Sequence, residues 1–258
     1  MKQYRQICIA GTGKLAEALL NRLHSNLELE ILLWGRNDAE RNRLRTTYSA
    51  QIAEVEQVPK MPVLLCISDN AIEDVARQLK EKASCMLHFS GSCAINVLPE
   101  SEGGSAVCWP IQTFGNPKAI NWLEVPLITE TQGDEAEAFT EWLCNALGGP
   151  RISLSEAQRR SLHLAAIVVN NFTNHLMQVS KAYCERNNLP FEHLLPLIKQ
   201  TVTQLDENEP KALQTGPARR NDWRVIEKHL NMLKNEPELS EIYRIFSEQI
   251  TTLYASEK

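Results

Sequence analysis

Residues 7–20 read Ile7-Cys8-Ile9-Ala10-Gly11-Thr12-Gly13-Lys14-Leu15-Ala16-Glu17-Ala18-Leu19-Leu20. Four apolar residues precede two glycines, and an amphipathic run follows them. The pattern predicts a strand at Ile7–Ala10, a tight turn, and a helix at Leu15–Leu23. Two nucleotide loops compete for the turn. An ATP-type loop needs Gly, four residues, then Gly-Lys and a Ser or Thr. Aligned on Gly13-Lys14, that pattern meets Cys8 where it requires Gly and Leu15 where it requires a hydroxyl. The Gly-x-Gly-x-x-Ala pattern of a dinucleotide loop fits throughout. Gly11 permits the turn, Gly13 lets backbone approach a pyrophosphate, and Ala16 allows close helix–strand packing. Gly11, Thr12, Gly13, Lys14 and Leu15 are therefore the first cofactor-side candidates, with the Lys14 side chain incidental.

The end of the second strand tests which dinucleotide is held. NAD-specific loops place a carboxylate there for the ribose 2′-hydroxyl. This chain has Trp34-Gly35-Arg36-Asn37 instead. Arg36, with Asn37 beside it, suits a 2′-phosphate, because a guanidinium forks onto phosphate oxygens. The expected cofactor is NADP(H). Arg41, Arg43 and Arg45 follow, and for these a solvated helix face is the simpler reading.

Outward from this unit the first half alternates apolar strands and amphipathic helices. Strands are expected at Glu30–Trp34, Val63–Ile67, Met86–Phe89, Ala106–Trp109 and Val125–Thr129. Helices are expected at Asp38–Thr46, Ala71–Lys82 and Asp134–Leu147. Near-continuous apolar strands in this order predict an α/β fold, a Rossmann-type doubly wound parallel sheet covered on both faces. Ligands of such sheets sit at the carboxyl ends of the strands. Ser68 and Asp69 follow one strand and Ser90 another, so all three are candidates for lining the cofactor crevice; capping of the next helix is the alternative for Asp69. Gly148-Gly149-Pro150 ends a helix, and the expected domains are 1–152 and 153–258. The second is helical. Ser155 should cap one helix running from about Glu156 to Asn187, roughly 48 Å at 1.5 Å per residue. Its centre, Leu162–Val169, is apolar nearly all round except for His163, which suits a bundle or dimer interface. Further helices are expected at Leu194–Leu205, Asp222–Lys234 and Glu238–Tyr254.

Composition narrows the function classes. The chain has 258 residues, 43% hydrophobic and 23% charged, with a net charge of −5. Residues 1–150 carry 13 Lys and Arg against 19 Asp and Glu; the remainder carries 14 against 13. Neither part is broadly basic, which argues against nucleic acid as the partner. No run has the ~18 apolar residues of a membrane span. The N-terminus lacks the features of a signal peptide, so a cytoplasmic location is expected. Seven scattered cysteines without a Cys-x-x-Cys pair read as reduced, mostly buried thiols, and no Cys/His cluster has zinc spacing, so no metal is expected.

The second half carries the chemistry candidates. On a helical wheel Asn170 and Asn174 fall within about 20° of His163, and Asn171 about 80° away. A polar stripe on an apolar helix needs partners, since unpaired buried polar groups cost free energy. It is either a satisfied structural network or a site in which His163 exchanges protons near neutral pH. In Thr215-Gly216-Pro217-Ala218-Arg219-Arg220-Asn221-Asp222, a turn explains Gly216 and Pro217, and Asp222 suits an N-cap. Two adjacent arginines are left over, either of which suits a carboxylate or phosphate.

Together these residues resemble a family of Rossmann-like NADP-binding proteins with a helical C-terminal domain of unassigned function. That family is a distant cousin of pyrroline-carboxylate reductase, ketopantoate reductase and the 6-phosphogluconate dehydrogenase group, and the helical part is similar to the C-terminal domain of the last. The resemblance rests on Gly11-Thr12-Gly13, Ser68-Asp69, His88-Phe89-Ser90-Gly91-Ser92, Pro110-Ile111-Gln112-Thr113-Phe114, His163-Leu164-Ala165-Ala166 with Asn171-Phe172, and Thr215-Gly216-Pro217 with Arg220 and Asp222. It implies an NADP-dependent oxidoreductase, homodimeric through the helical domain. A hydride would pass between NADP(H) and a small polar C=O or C=N substrate. It favours Asn171 where the wheel favours Asn170 and Asn174. His163, Asn171, Arg220 and Asp222 are thus the catalytic or substrate-side candidates. The chain departs from the family twice: Trp109 stands where a histidine is usual, and Asn221 where a glycine is usual. The first departure supports an alternative, a non-catalytic NADP-binding sensor or scaffold.

Overall fold

A computed structural model of the chain describes residues 3–26, 28–52 and 59–255. Contacts divide the chain into two compact units, 1–167 and 168–258. The domain edge expected at 152/153 falls at the end of the last strand. The helix that follows that strand begins inside the first unit.

Among the described residues of the first unit, eight strands form one sheet. They are β1 (Gln6–Ala10), β2 (Glu30–Trp34), β3 (Gln51–Ile52), β4 (Met61–Leu65), β5 (Ala83–His88), β6 (Ser105–Pro110), β7 (Leu127–Gln132) and β8 (Arg151–Ser153). Their spatial order is β3-β2-β1-β4-β5-β6-β7-β8. The helices are α1 (Lys14–Leu23), α2 (Asp38–Tyr48), α3 (Ile72–Leu79), α4 (Asp134–Leu147) and α5 (Glu156–Ala166). The first six strands have the Rossmann order, which reverses direction between β1 and β4. Side chains alternate along β1. Ile7 and Ile9 enter a core with Leu19, Leu20, Leu44, Phe139 and Leu143 from α1, α2 and α4. Cys8 and Ala10 enter the opposite core with Ile72, Val75, Ala76 and Leu79 from α3. The sheet is therefore covered on both faces, as its unbroken apolar strands require.

The sheet is parallel as expected except at one pairing. β6 and β7 pair antiparallel, Ser105 opposite Gln132 through Pro110 opposite Leu127. The segment between them holds only short 3₁₀ turns at Pro117–Ala119 and Trp122–Glu124. A parallel return needs a crossover over one face of the sheet, usually an α-helix, and this segment forms none. β3 and β8, two and three residues long, are below the length at which a hydrophobic pattern is readable.

The long helix expected from about Glu156 to Asn187 is helical without a break through Arg186, but its hydrogen bonding is not uniform. Ser155 does cap α5, in a reciprocal pairing with Gln158. The α-helical hydrogen bonding then gives way to a π segment at Ile167–Phe172, and α6 (Thr173–Arg186) follows.

The second unit continues with α7 (Leu195–Thr203), α8 (Pro210–Leu213), α9 (Trp223–Met232) and α10 (Pro237–Tyr254). It is joined internally by His229 Nδ1 against the Tyr243 hydroxyl at 2.6 Å and by Arg186 Nε donating to Glu236 Oε1 at 2.7 Å. Among its described residues only Cys184, Ala218, Ile226, Leu233, Ser247 and Tyr254 are buried. Val169, Leu197, Val202 and Met232 are each more than half exposed.

Candidate active site

The glycine loop sits at the β1–β4 switch point and forms the floor of a cleft of about 790 Å³. Gly11 has φ +134°, and a Cβ there would lie 2.1 Å from the Cys66 carbonyl oxygen. The turn is pinned by Gly11 N–H donating to Trp34 O at 2.8 Å. Gly13 differs. Its φ of −77° is ordinary, and a Cβ there would meet nothing within 4 Å. It is the N-cap of α1 and supplies no side-chain cap. The first amides of α1 thus lack a side-chain acceptor at the wall of an open cleft, an arrangement suited to a phosphate. Gly35 is needed for a third reason, since a Cβ there would lie 2.9 Å from Thr12 Cγ2.

Of the cofactor candidates, Gly11, Thr12, Gly13, Lys14, Leu15, Arg36, Asn37 and Ser68 line this cleft; Asp69 and Ser90 do not. Asn37 also caps α2, accepting from Glu40 N at 3.1 Å. Asp38 lines the cleft too and pairs with Arg41. Arg43 bridges Glu17 and Glu40 and holds the Glu17 carboxyl below its ordinary value. Of the four arginines at 36–45, Arg36 is the one that reaches the cleft.

Asp69 and Ser90 instead build the turn after β5. Asp69 Oδ2 accepts from Ser90 Oγ at 2.8 Å and Ser92 Oγ at 2.6 Å. Ser90 Oγ accepts from the amides of Ser92 at 3.1 Å and Cys93 at 2.9 Å. Ser90 N donates to His88 Nδ1 at 3.2 Å, which leaves His88 Nε2 to donate to Ala94 O at 3.3 Å. Burial pushes the His88 imidazole down to about 4, and the nearby Arg159 charge adds to the effect. His88 is thus a neutral strut of the turn.

His163 lies one turn before the end of α5, against this turn. A Cβ on Gly91 would lie 2.5 Å from His163 Nδ1 and 2.9 Å from Trp109 Cε2. The Trp109 and His163 rings meet edge to face with centroids 5.1 Å apart. His163 Nδ1 is buried without a hydrogen-bond partner, so Nε2 is the nitrogen available to a ligand. Trp109 itself packs with Ile95, Val107 and Ile128 and does not line the cofactor cleft. Sequence reasoning did not find Arg159, which is wholly buried four residues before His163.

In the second unit Asn171 lies in the π segment, where Asn170 Nδ2 donates to its Oδ1 at 2.8 Å. A π turn holds about one residue more than an α turn. That advances the phase of the helix by one position and shifts the wheel from Asn170 to Asn171. Asp222 caps α9, its Oδ1 accepting from Val225 N at 3.3 Å. Asn221 has φ +58°, a left-handed conformation that asparagine tolerates better than most residues, so a usual glycine is replaced without loss of the turn. The guanidinium of Arg219 stacks on Tyr254 at 4.1 Å, which accounts for one of the two adjacent arginines.

Residues 125–250 match the family described as Domain of unknown function (DUF2520). The matched segment includes His163, Asn171, Arg220 and Asp222, whereas the glycine loop lies before it. No curated protein sequence matches the chain. A structure described as a "putative NADP oxidoreductase" from Bacteroides fragilis is similar at 29% identity and TM-score 0.85, over 96% of this chain and 98% of that one. A protein from Thermotoga maritima is similar at 21% identity and TM-score 0.72, over 97% and 99%. A 1-pyrroline-5-carboxylate reductase from Streptococcus pyogenes shares the fold at 16% identity and TM-score 0.61, over 96% and 98%. The Rossmann-type sheet followed by helices is thus shared with these structures along nearly the full chain.

Proposed function

We propose that the chain is an NADP-dependent oxidoreductase that transfers a hydride between NADP(H) and a small polar C=O or C=N substrate. The observation that carries this reading is the cleft at the β1–β4 switch point. There a bare Gly13 starts α1 with no side-chain cap, and Arg36 lies at the wall. The backbone of Gly11–Leu15 would hold the pyrophosphate and Arg36 the 2′-phosphate. When bound, the nicotinamide supplies or accepts the hydride. His163 supplies or takes the accompanying proton through Nε2. Asn171 is assigned to substrate positioning, and Arg220 with Asp222 to the substrate side or to a dimer contact. A homodimer through the helical unit would cover its exposed apolar side chains, such as Val169, Leu197, Val202 and Met232. Among the described residues no helix is long and apolar enough to cross a membrane.

A screen of NADPH oxidation over keto acids, aldehydes and imines tests the activity. His163→Ala should bind NADPH as wild type does and lose turnover; full turnover in that variant removes the proton-transfer role. The sensor reading has one observation in its favour, the Trp109 indole packed on His163 where the related family has a histidine. It predicts tight NADPH binding with no substrate-dependent oxidation in either wild type or Trp109→His.

A further inference from the structure

Arg159 has the largest fully buried side chain among the described residues. Its Nη1 donates to the carbonyl oxygens of Ser90 at 3.3 Å and Gly91 at 3.0 Å. Its Nη2 donates to Glu130 Oε2 on β7 at 3.0 Å. Its Nε is buried without a partner. A buried guanidinium is a costly way to dock a helix, since apolar residues of similar volume often do as well or better. What the guanidinium adds is direction, because its planar fork fixes several acceptors at once.

Two of those acceptors belong to the turn that seats His163. Arg159 and His163 are four residues apart on α5 and lie on one face of it. Arg159 grips the carbonyl of Gly91, and the His163 ring rests on the bare Cα of the same residue. Every polar atom of Ser90 is already engaged: its amide by His88, its hydroxyl by Asp69, Ser92 and Cys93, its carbonyl by Arg159. The turn is therefore rigid on its far side, and Arg159 ties it to the helix that carries the imidazole.

We propose that Arg159 is a positioning residue for His163: with Gly91 it sets the imidazole so that Nδ1 faces the turn and Nε2 faces outward. This rests on the reading of His163 as the proton-transferring group for its consequence in turnover, but the orientation itself is measurable without a substrate. Lysine at 159 keeps a charge for Glu130 but cannot bridge two carbonyls in a plane. Alanine at 91 places a methyl where the ring now lies.

The experiment is imidazole ¹H–¹⁵N correlation spectroscopy on wild type, Arg159→Lys, Arg159→Met and Gly91→Ala. It is paired with NADPH titration by fluorescence and with thermal melting. In folded Arg159→Lys and Gly91→Ala, the His163 ring nitrogens should move from a single-tautomer pattern toward an exchange-averaged one, while His24 and His229 stay put. NADPH affinity should hold within about twofold, because Arg159 and Gly91 do not line the cleft. With a substrate in hand, kcat should fall about tenfold or more at unchanged KM for NADPH. If Arg159→Met fails to fold, the lysine and Gly91→Ala variants carry the test. Unchanged His163 signals in both overturn the proposal. If the signals move but His163→Ala retains turnover, the positioning stands and the proton-transfer reading falls.

Discussion

Gly11 and Gly13 belong to one motif, yet their surroundings predict opposite outcomes for the same substitution. Gly11→Ala puts a methyl 2.1 Å from the Cys66 carbonyl oxygen at φ +134°. Backbone strain of this kind costs ~1–3 kcal/mol, and forced overpacking adds ~1–3 kcal/mol. At about 2–4 °C per kcal/mol for a domain of this size, the melting temperature should fall roughly 5–20 °C. Gly13→Ala meets nothing within 4 Å at an ordinary φ. Reduced unfolded-state entropy contributes ~0.4–1 kcal/mol, offset by the poor N-capping of alanine. Its melting temperature should stay within about 4 °C of wild type. The methyl would stand where a pyrophosphate must approach the backbone. Losing one charged hydrogen bond of ~1.5–3 kcal/mol weakens NADPH binding about 10- to 100-fold. Differential scanning fluorimetry and NADPH fluorescence titration read both effects. A Gly13→Ala variant that binds NADPH within twofold of wild type, or a Gly11→Ala variant that melts with it, refutes the assignment of one glycine to the fold and the other to the ligand.

Arg36→Ala should raise the Kd for NADPH about 10- to 100-fold, the value of a charged hydrogen bond, and change that for NADH less than about threefold; equal losses by calorimetry would remove Arg36 from the phosphate site. His88 gives the protein a pH dependence of defined sign. The folded imidazole stays neutral down to about 4, whereas the unfolded one binds a proton near 6.5. Stability is therefore full above pH 6.5 and declines as pH falls toward 4, by up to about 3 kcal/mol. Urea unfolding between pH 7 and 5, where carboxylates remain ionised, should show this slope in wild type and a flatter one in His88→Gln; parallel curves contradict it. Val169 is 71% exposed on the helical unit. Sedimentation should show a dimer in wild type and a shift toward monomer in Val169→Asp, and a monomeric wild type at micromolar concentration would count against the interface.

The glycine loop was legible because backbone geometry dictates it. Gly11 and Gly35 each occupy a position that a Cβ would invade, and such positions leave single-residue signatures in sequence. The capping role of Asp222 was legible for a similar reason, since the polar groups involved are three residues apart. Arg159 was not, because its partners Ser90, Gly91 and Glu130 are distant in sequence and it sits among ordinary surface-helix residues. Asp69 and Ser90 follow different strands and each reads as a crevice-lining residue; that they bind each other instead was not legible, because the pairing joins residues 21 apart in sequence. The π segment was invisible to a wheel that assumes 3.6 residues per turn, which is why the wheel favoured Asn170 and the resemblance Asn171. The left-handed Asn221 shows the converse: a departure from a family's glycine that the backbone accommodates.

The most direct test of the central claim is a calorimetric titration of the purified wild-type chain with NADPH and, separately, NADH at matched ionic strength. The cleft at the β1–β4 switch point, with Gly13 bare and Arg36 at its wall, predicts saturable binding of both, with NADPH at least about tenfold tighter. Equal affinities, or no binding of either, would contradict it.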